Sequence, residues 1–197
     1  MCHRFTPLTV TEAESVLASR RDTGRATMPA SDPAVVVPDA YPGTQVPLFV
    51  PGEGGELVVT VLTWGFEGAG QSSRPVFNTR IETALSHARV GRGMWANAVE
   101  HGRCLVPVRA FFEPGTMSGE RGAQVRFTMG RHRAFLLAGV YEADRFSVVT
   151  TKPNAAVAPI HQRMPLVLSA GESALWLGSG YAGLSDRTAI ELETEPV

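Results

Sequence analysis

At 197 residues and 44% hydrophobic content, the chain is long enough for one domain with a sizeable core, and its formal net charge of −1 gives no global bias toward nucleic acid or membrane. No apolar run approaches the ~20 residues that cross a bilayer. No stretch reads as a secretory leader, and two cysteines make no disulfide framework, so the composition points to a soluble protein of a reducing, cytoplasmic compartment. The charge is unevenly spread: Arg80 to Arg133 holds nine arginines against four glutamates, and Lys152 is the only lysine. Arginine offers planar, bidentate contacts to phosphate, although genomic base composition explains any single one equally well.

In chain order, "TVTEAESVLASR" predicts a first helix, with Thr11 as cap and Glu14 three residues later. The prolines and glycines of residues 28–56 exclude a regular helix and predict extended pieces that wrap the core. "ELVVTVLTWGF" predicts a strand. "RIETALSHA" and "GMWANAVEHG" predict short helices, the second ended by Gly102. "RCLVPVRAFFEP" is extended again. "AQVRFTMG" and "RAFLLAGVYEA" predict a hairpin around "GRHR". "RFSVVTTKP" and "HQRMPLVLS" predict further strands, and "ESALWLGS" a late helix. Strands dominate without a βαβ rhythm. The expected fold is therefore α+β, one domain over residues 1–197 with a mostly antiparallel, barrel-like curled sheet and short peripheral helices.

Four stretches join polar residues to apolar neighbours. In "MCHRF", Cys2 stands directly behind Met1. Removal of Met1 would leave an amine and a thiol on adjacent carbons, a pair that condenses with aldehydes as no internal cysteine can. "FNTRIET" sets Asn78, Arg80 and Glu82 in close succession. "CLVPVRAFFEP" ends a hydrophobic strand on Glu113, and "APIHQRMPLVL" places His161 and Arg163 at the mouth of another. A carboxylate at the end of an apolar strand loses solvation unless it is paired or used, and its pKa rises. Each residue also has a plainer reading. Glu113 could salt-bridge an arginine, His161 could be structural, and Asn78 could cap the helix that follows. Arg80 and Arg163 could be solvated, and Trp64 could be core rather than a surface on which a base stacks. Cys104 reads as a small buried hydrophobe. "HGRC" and "CH" do not supply the paired ligands of a structural zinc, so no metal and no cofactor is expected.

Together these stretches resemble the SOS-response-associated peptidase (SRAP) family. "MCHR", "YPGTQVPL", "TWGF", "NTRIET", "RCLVP…FFEP" and "HQRMP" occur in the family's order and span nearly the whole chain. His3 stands where the family has glycine, Thr79 where it has alanine, and Pro114 where it has an aromatic. The resemblance implies an abasic-site sensor that crosslinks to ring-opened abasic sites in single-stranded DNA through a thiazolidine on Cys2. It implies a catalytic group of Cys2, Asn78, Glu113 and His161, with Arg4, Arg80 and Arg163 on DNA phosphates and Trp64 among the DNA-binding residues. A self-processing cysteine peptidase and a non-covalent DNA reader are the alternatives. The expected partner is single-stranded DNA carrying abasic sites, met by a monomer in the cytoplasm, or at the nucleoid if the source is bacterial. Glu113 is expected to titrate unusually high, and His161 to be held protonated by a nearby phosphate.

Overall fold

In chain order the elements are β1 (Arg4–Pro7), α1 (Val10–Thr23), β2 (Gln45–Pro51), β3 (Leu57–Trp64), β4 (Asn78–Arg80), α2 (Ile81–Val90), α3 (Ala96–His101), β5 (Arg103–Pro114), β6 (Gln124–Thr128), β7 (Phe135–Glu142), β8 (Arg145–Thr151), β9 (Met164–Pro165), β10 (Val167–Leu168), α4 (Glu172–Leu177) and β11 (Glu193–Pro196). They come from a computed structural model that describes residues 2–23, 37–68, 74–115, 123–130 and 132–197. Met1, residues 28–36 of the proline- and glycine-rich stretch, and Glu120, Arg121 and Arg131 of the arginine-rich middle lie outside the described residues. Among the described residues, no helix is long and apolar enough to cross a membrane.

Strands β7, β8, β3, β2 and β5 pair in that order, and β5 pairs back to β7, so five strands close into a barrel. Closure gives each barrel strand a neighbour on both sides, although the β3–β8 and β2–β5 seams are only two and one residue pairs long. The pairing is antiparallel except for β3–β8 and β4–β8. Side chains alternate across these strands with period two. Val46, Leu48 and Val50 of β2, Cys104, Val106 and Val108 of β5, Phe135 and Leu137 of β7, and Phe146 and Val148 of β8 share one apolar cluster, the barrel interior. Their neighbours Phe49, Leu105, Ala138, Val140 and Val149 join a second cluster with residues of all four helices. Helices on the outer wall explain why "CLVPV" is a continuous apolar run rather than an alternating one: both its faces are buried.

The α+β, barrel-like expectation therefore holds. The predicted hairpin between β6 and β7 does not form. Val108 of β5 pairs with both β1 and β7, and Phe111 and Phe112 pair with both β1 and β6. A strand has only two edges, so β6 and β7 lie end to end along one edge of β5, with β1 on the other. Alternation specifies which face is apolar but not which strand is the partner. The first helix caps two residues earlier than predicted. Thr9 and Glu12 form the reciprocal box, with Thr9 N donating to Glu12 Oε2 at 2.9 Å and Glu12 N to Thr9 Oγ1 at 3.2 Å. The same Thr-x-x-Glu pattern recurs at Thr11 and Glu14. The earlier copy wins because Glu12 also pairs with Arg109 of β5.

Candidate active site

The long strand β5 runs out of the barrel and carries Glu113 as its last residue but one, with β1 on one side and β6 on the other. The register Arg4↔Phe112 brings the residues ahead of β1 alongside Glu113. Cys2 is fully buried there, and its Sγ donates to the Arg4 carbonyl at 3.6 Å. β4 lies parallel to β8 with Asn78 opposite Val148, and Asn78 Nδ2 donates to the Cys2 carbonyl at 2.8 Å. Asn78 does not cap α2: that position belongs to Arg80, which makes no side-chain cap bond. Asn78 Oδ1 is buried and accepts no hydrogen bond from the described residues. Thr79 turns to the opposite side of β4 and is fully buried, with Oγ1 donating to Ser147 Oγ at 2.9 Å.

His161 completes the group from the turn before β9. Its Nδ1 is 4.0 Å from Glu113 Oε2 and 3.0 Å from both the amide nitrogen and the carbonyl oxygen of Arg163. The amide can only donate and the carbonyl can only accept, so Nδ1 either takes the amide proton, leaving the ring hydrogen on Nε2, or gives its own hydrogen to the carbonyl. Four residues distant in sequence thus converge on one end of the barrel.

Their environments push the pKa values apart. Burial raises Glu113 to about 7. It is fully buried, so its charged form loses most of its hydration. The Cys2 thiol is raised well above its ordinary value, first by burial and then by the Glu113 carboxylate. His161 is lowered, first by burial, against a hydrogen bond from the ring to the Arg163 carbonyl that raises it. The expected high titration of Glu113 is present. His161 differs from expectation in the DNA-free chain, because desolvation outweighs the groups that would hold it protonated.

Two of the three arginines expected on phosphates already hold carboxylates. Arg4 reaches Asp39 at 2.6 Å and 2.7 Å, donates to Gln124 Oε1 at 2.7 Å, and stacks 4.0 Å over the Phe112 ring. Arg163 grips Glu82 through two 2.9 Å bonds. Arg80 is exposed. The DNA-contact expectation for Trp64 is corrected. Its ring is fully buried, packs against Phe5 and Phe146, and donates Nε1 to the Phe77 carbonyl at 2.8 Å. The apolar strand β3 carries it into the barrel, where no base can stack. Sequence reasoning missed Asp39 and the pairing role of Glu82. A carboxylate 35 or 81 residues away in the chain leaves no local pattern beside its arginine.

Among the described residues, no group of three or more His, Cys, Asp or Glu side chains is placed to hold a metal ion. Two concavities of about 580 and 670 Å³ lie between α1 and α4 against the outer wall of the barrel. Neither is lined by Cys2, Asn78, Glu113 or His161, so the chemistry and the hollows are on different faces.

The family profile described as SOS response associated peptidase (SRAP) matches residues 1–194. Abasic site processing protein YoqW of Bacillus subtilis (strain 168) is 29% identical over 84 residues, 38% of each chain. Abasic site processing protein YedK of Escherichia coli (strain K12) is 25% identical over 150 residues, 72% of this chain and 64% of that one. The chain thus matches between about two fifths and two thirds of the length of these relatives. A crystal structure of a protein from Bordetella bronchiseptica superposes with a TM-score of 0.73 at 20% identity, covering 100% of this chain and 99% of that one. Another, from Bacteroides thetaiotaomicron, gives 0.69 at 17% identity, covering 100% and 92%. At these identities the two structures establish the shared fold alone.

Proposed function

This chain belongs to the SOS response associated peptidase (SRAP) family, and from that premise we propose that it processes abasic sites in DNA through covalent capture by Cys2. The observation that carries the reading is the convergence on Cys2. Its carbonyl is held by Asn78 at 2.8 Å, and its thiol is buried beside a carboxylate that titrates near 7.

The chemistry runs in two steps once Met1 has been removed. The free α-amine of Cys2 attacks the aldehyde carbon of a ring-opened abasic deoxyribose. A C–N bond forms, water leaves, and the product is an imine. The thiol then adds across the C=N bond. Its sulfur bonds to carbon, its proton passes to nitrogen, and a five-membered thiazolidine closes with no oxidant or reductant. A thiol raised above its ordinary range is a poor opening nucleophile. An α-amine, with an ordinary pKa of ~7.7–8.0, is partly unprotonated at neutral pH. The amine therefore acts first. The same raised thiol argues against a thiolate peptidase as the principal activity.

Glu113 is suited to moving the protons. A group titrating near working pH both accepts and returns them. It takes the proton from the attacking amine and gives it to the departing hydroxyl. His161, neutral with its hydrogen on Nε2, donates to the sugar ring oxygen as the ring opens. Asn78 Oδ1 is a buried acceptor available to a sugar hydroxyl. A single strand fits this reading better than a duplex, because Cys2 lies inside the protein and the sugar must leave its stack to reach it.

The test is incubation with single-stranded DNA carrying one abasic site, followed by a denaturing gel and intact-mass measurement. The expected product is a stable adduct on a chain that lacks Met1, heavier by the DNA minus one water. DNA bound only under native conditions, with no mass change, would replace covalent capture by a non-covalent reader.

A further inference from the structure

We propose that Glu82 is a positioning residue for His161, acting through the Arg163 guanidinium. The proposal rests on the reading of His161 as a participant in the reaction. Arg163 lies in the short connection between the turn holding His161 and the two-residue strand β9, a segment with few ladder bonds of its own. Its guanidinium supplies what the ladder does not. Nη1 donates to Glu82 Oε1 at 2.9 Å, Nη2 to Glu82 Oε2 at 2.9 Å, and Nη2 also to the Thr150 carbonyl at 2.7 Å. One side chain thereby ties the β9 entrance to β8 and to the first turn of α2.

Glu82 is 47% exposed, as in surface ion pairs whose partners usually gain little, but Arg163 is held more deeply. The Arg163 side chain is only 14% exposed, and the contact is the two-pronged form that fixes direction as well as distance. Fixing the guanidinium fixes the Arg163 backbone. That backbone in turn sets both its N–H and its carbonyl 3.0 Å from His161 Nδ1. Whichever of the two Nδ1 engages selects the ring tautomer, so the placing of this backbone governs it. Glu82 also carries a negative charge that offsets Arg163. Among the described residues, the other titratable groups facing the ring are Glu113 from β5 and His3 from the N-terminal segment, while Lys152 acts on Glu82. Without Glu82, the Arg163 guanidinium keeps, among the described residues, only its bonds to Thr150 and its charge is uncompensated.

Two variants separate shape from charge. Glu82→Gln keeps a side chain that can accept from the guanidinium but loses the charge. Glu82→Ala loses both. The primary readout is imidazole ¹⁵N NMR of the full-length chain over pH 5–8, a range spanning ordinary histidine titration. The second is the pH profile of single-turnover crosslinking to abasic single-stranded DNA. Wild type is expected to show one dominant His161 tautomer. Glu82→Gln keeps that tautomer while His161 titrates at lower pH. Glu82→Ala gives a mixture of tautomers and slows crosslinking on the order of tenfold, part of the ~10²–10⁴-fold a positioned acid–base group supplies. Crosslinking by Glu82→Gln recovers most of the rate, with its His161 limb moved to lower pH.

Ring signals and titration unchanged from wild type in both variants would overturn the proposal, whatever happens to the rate. Altered ring signals with an unaltered rate would support the positioning role and remove His161 from the reaction. Unaltered signals in Glu82 variants together with a slow His161→Ala would do the reverse.

Discussion

The two ends of β5 are built from the same materials and do different things. At its start, Cys104 is fully buried, faces Gly139 of β7, and has burial as the single cause of its raised thiol. At its end, Cys2 is equally buried and belongs to the same apolar cluster, but Glu113 adds to the rise of its thiol. Burial alone makes a cysteine inert. A buried cysteine becomes a candidate for chemistry when a titratable group shares its burial and polar partners hold its backbone. The strand supplies that difference by leaving the barrel. Its first half is flanked by β2 and β7, and its second by β1 and β6.

The sharpest way to break this comparison is to remove each cysteine in turn. Cys2→Ala is expected to abolish the stable adduct with abasic single-stranded DNA. Cys104→Ala is expected to leave adduct yield unchanged while lowering stability by about 1–2 kcal/mol through a small cavity. A denaturing gel and urea unfolding read the two effects. An unchanged adduct in Cys2→Ala would move the chemistry elsewhere.

Glu113→Gln should separate function from stability. In the fold Glu113 holds its proton up to about pH 7, against an ordinary value of 4.5. Its contribution to stability is therefore fully present below pH 4.5 and lost as pH rises through about 7. A glutamine carries no such dependence. The variant should crosslink ~10²–10⁴-fold more slowly. At pH 8 it should also be more stable than wild type, by on the order of 1–3 kcal/mol, with the gap closing below pH 4.5. Urea unfolding at the two pH values checks it. A variant less stable than wild type at pH 8 would mean that the carboxylate's polar contacts outweigh its desolvation.

Much of this arrangement was legible in the sequence, and the limit falls at partner choice. "RCLVPVRAFFEP" reads as one extended piece, and β5 has those bounds, because its apolar run and its penultimate Glu113 are local facts. The clustering of Cys2, Asn78, Glu113 and His161 was legible only through resemblance, since nothing local says that residues 2 and 78 meet. β1 and β4, at four and three residues, are too short for periodicity to register. Arg4 and Arg163 read as phosphate ligands because a sequence shows a cation without its counter-ion. Asp39 and Glu82 become visible as partners only after β1 and α2 are in place.

That finding orders the arginines. Arg80 is exposed at the head of α2, whereas Arg4 and Arg163 must exchange a carboxylate for any phosphate they bind. Arg80→Ala is expected to weaken non-covalent DNA binding uniformly across sequences and to reduce the slope of log affinity against log salt by about one. Fluorescence anisotropy between 50 and 200 mM salt, roughly the range over which such contacts are titrated, reads both. A salt slope identical to wild type would remove Arg80 from the phosphate contacts.

The smallest effect tests the inert end of β5. A Cβ on Gly139 would lie 2.7 Å from Cys104 Sγ and 3.0 Å from Val106 Cγ2, closer than packed atoms tolerate. Gly139→Ala should therefore destabilise the fold by about 1–3 kcal/mol, the usual range for overpacking. Cys104→Ala removes the sulfur that the new methyl meets and leaves the space it needs. The double variant should be more stable than the sum of the singles predicts, with a coupling of about 0.5–1.5 kcal/mol. Val106 remains close, so the rescue is partial. Crosslinking by all three variants should match wild type under conditions where each is folded. Additive losses would place the strain on Val106 instead. A fall in crosslinking that tracks the Cys104 change, with the fold intact, would show that the two ends of β5 are coupled, and the contrast between them would have to be redrawn.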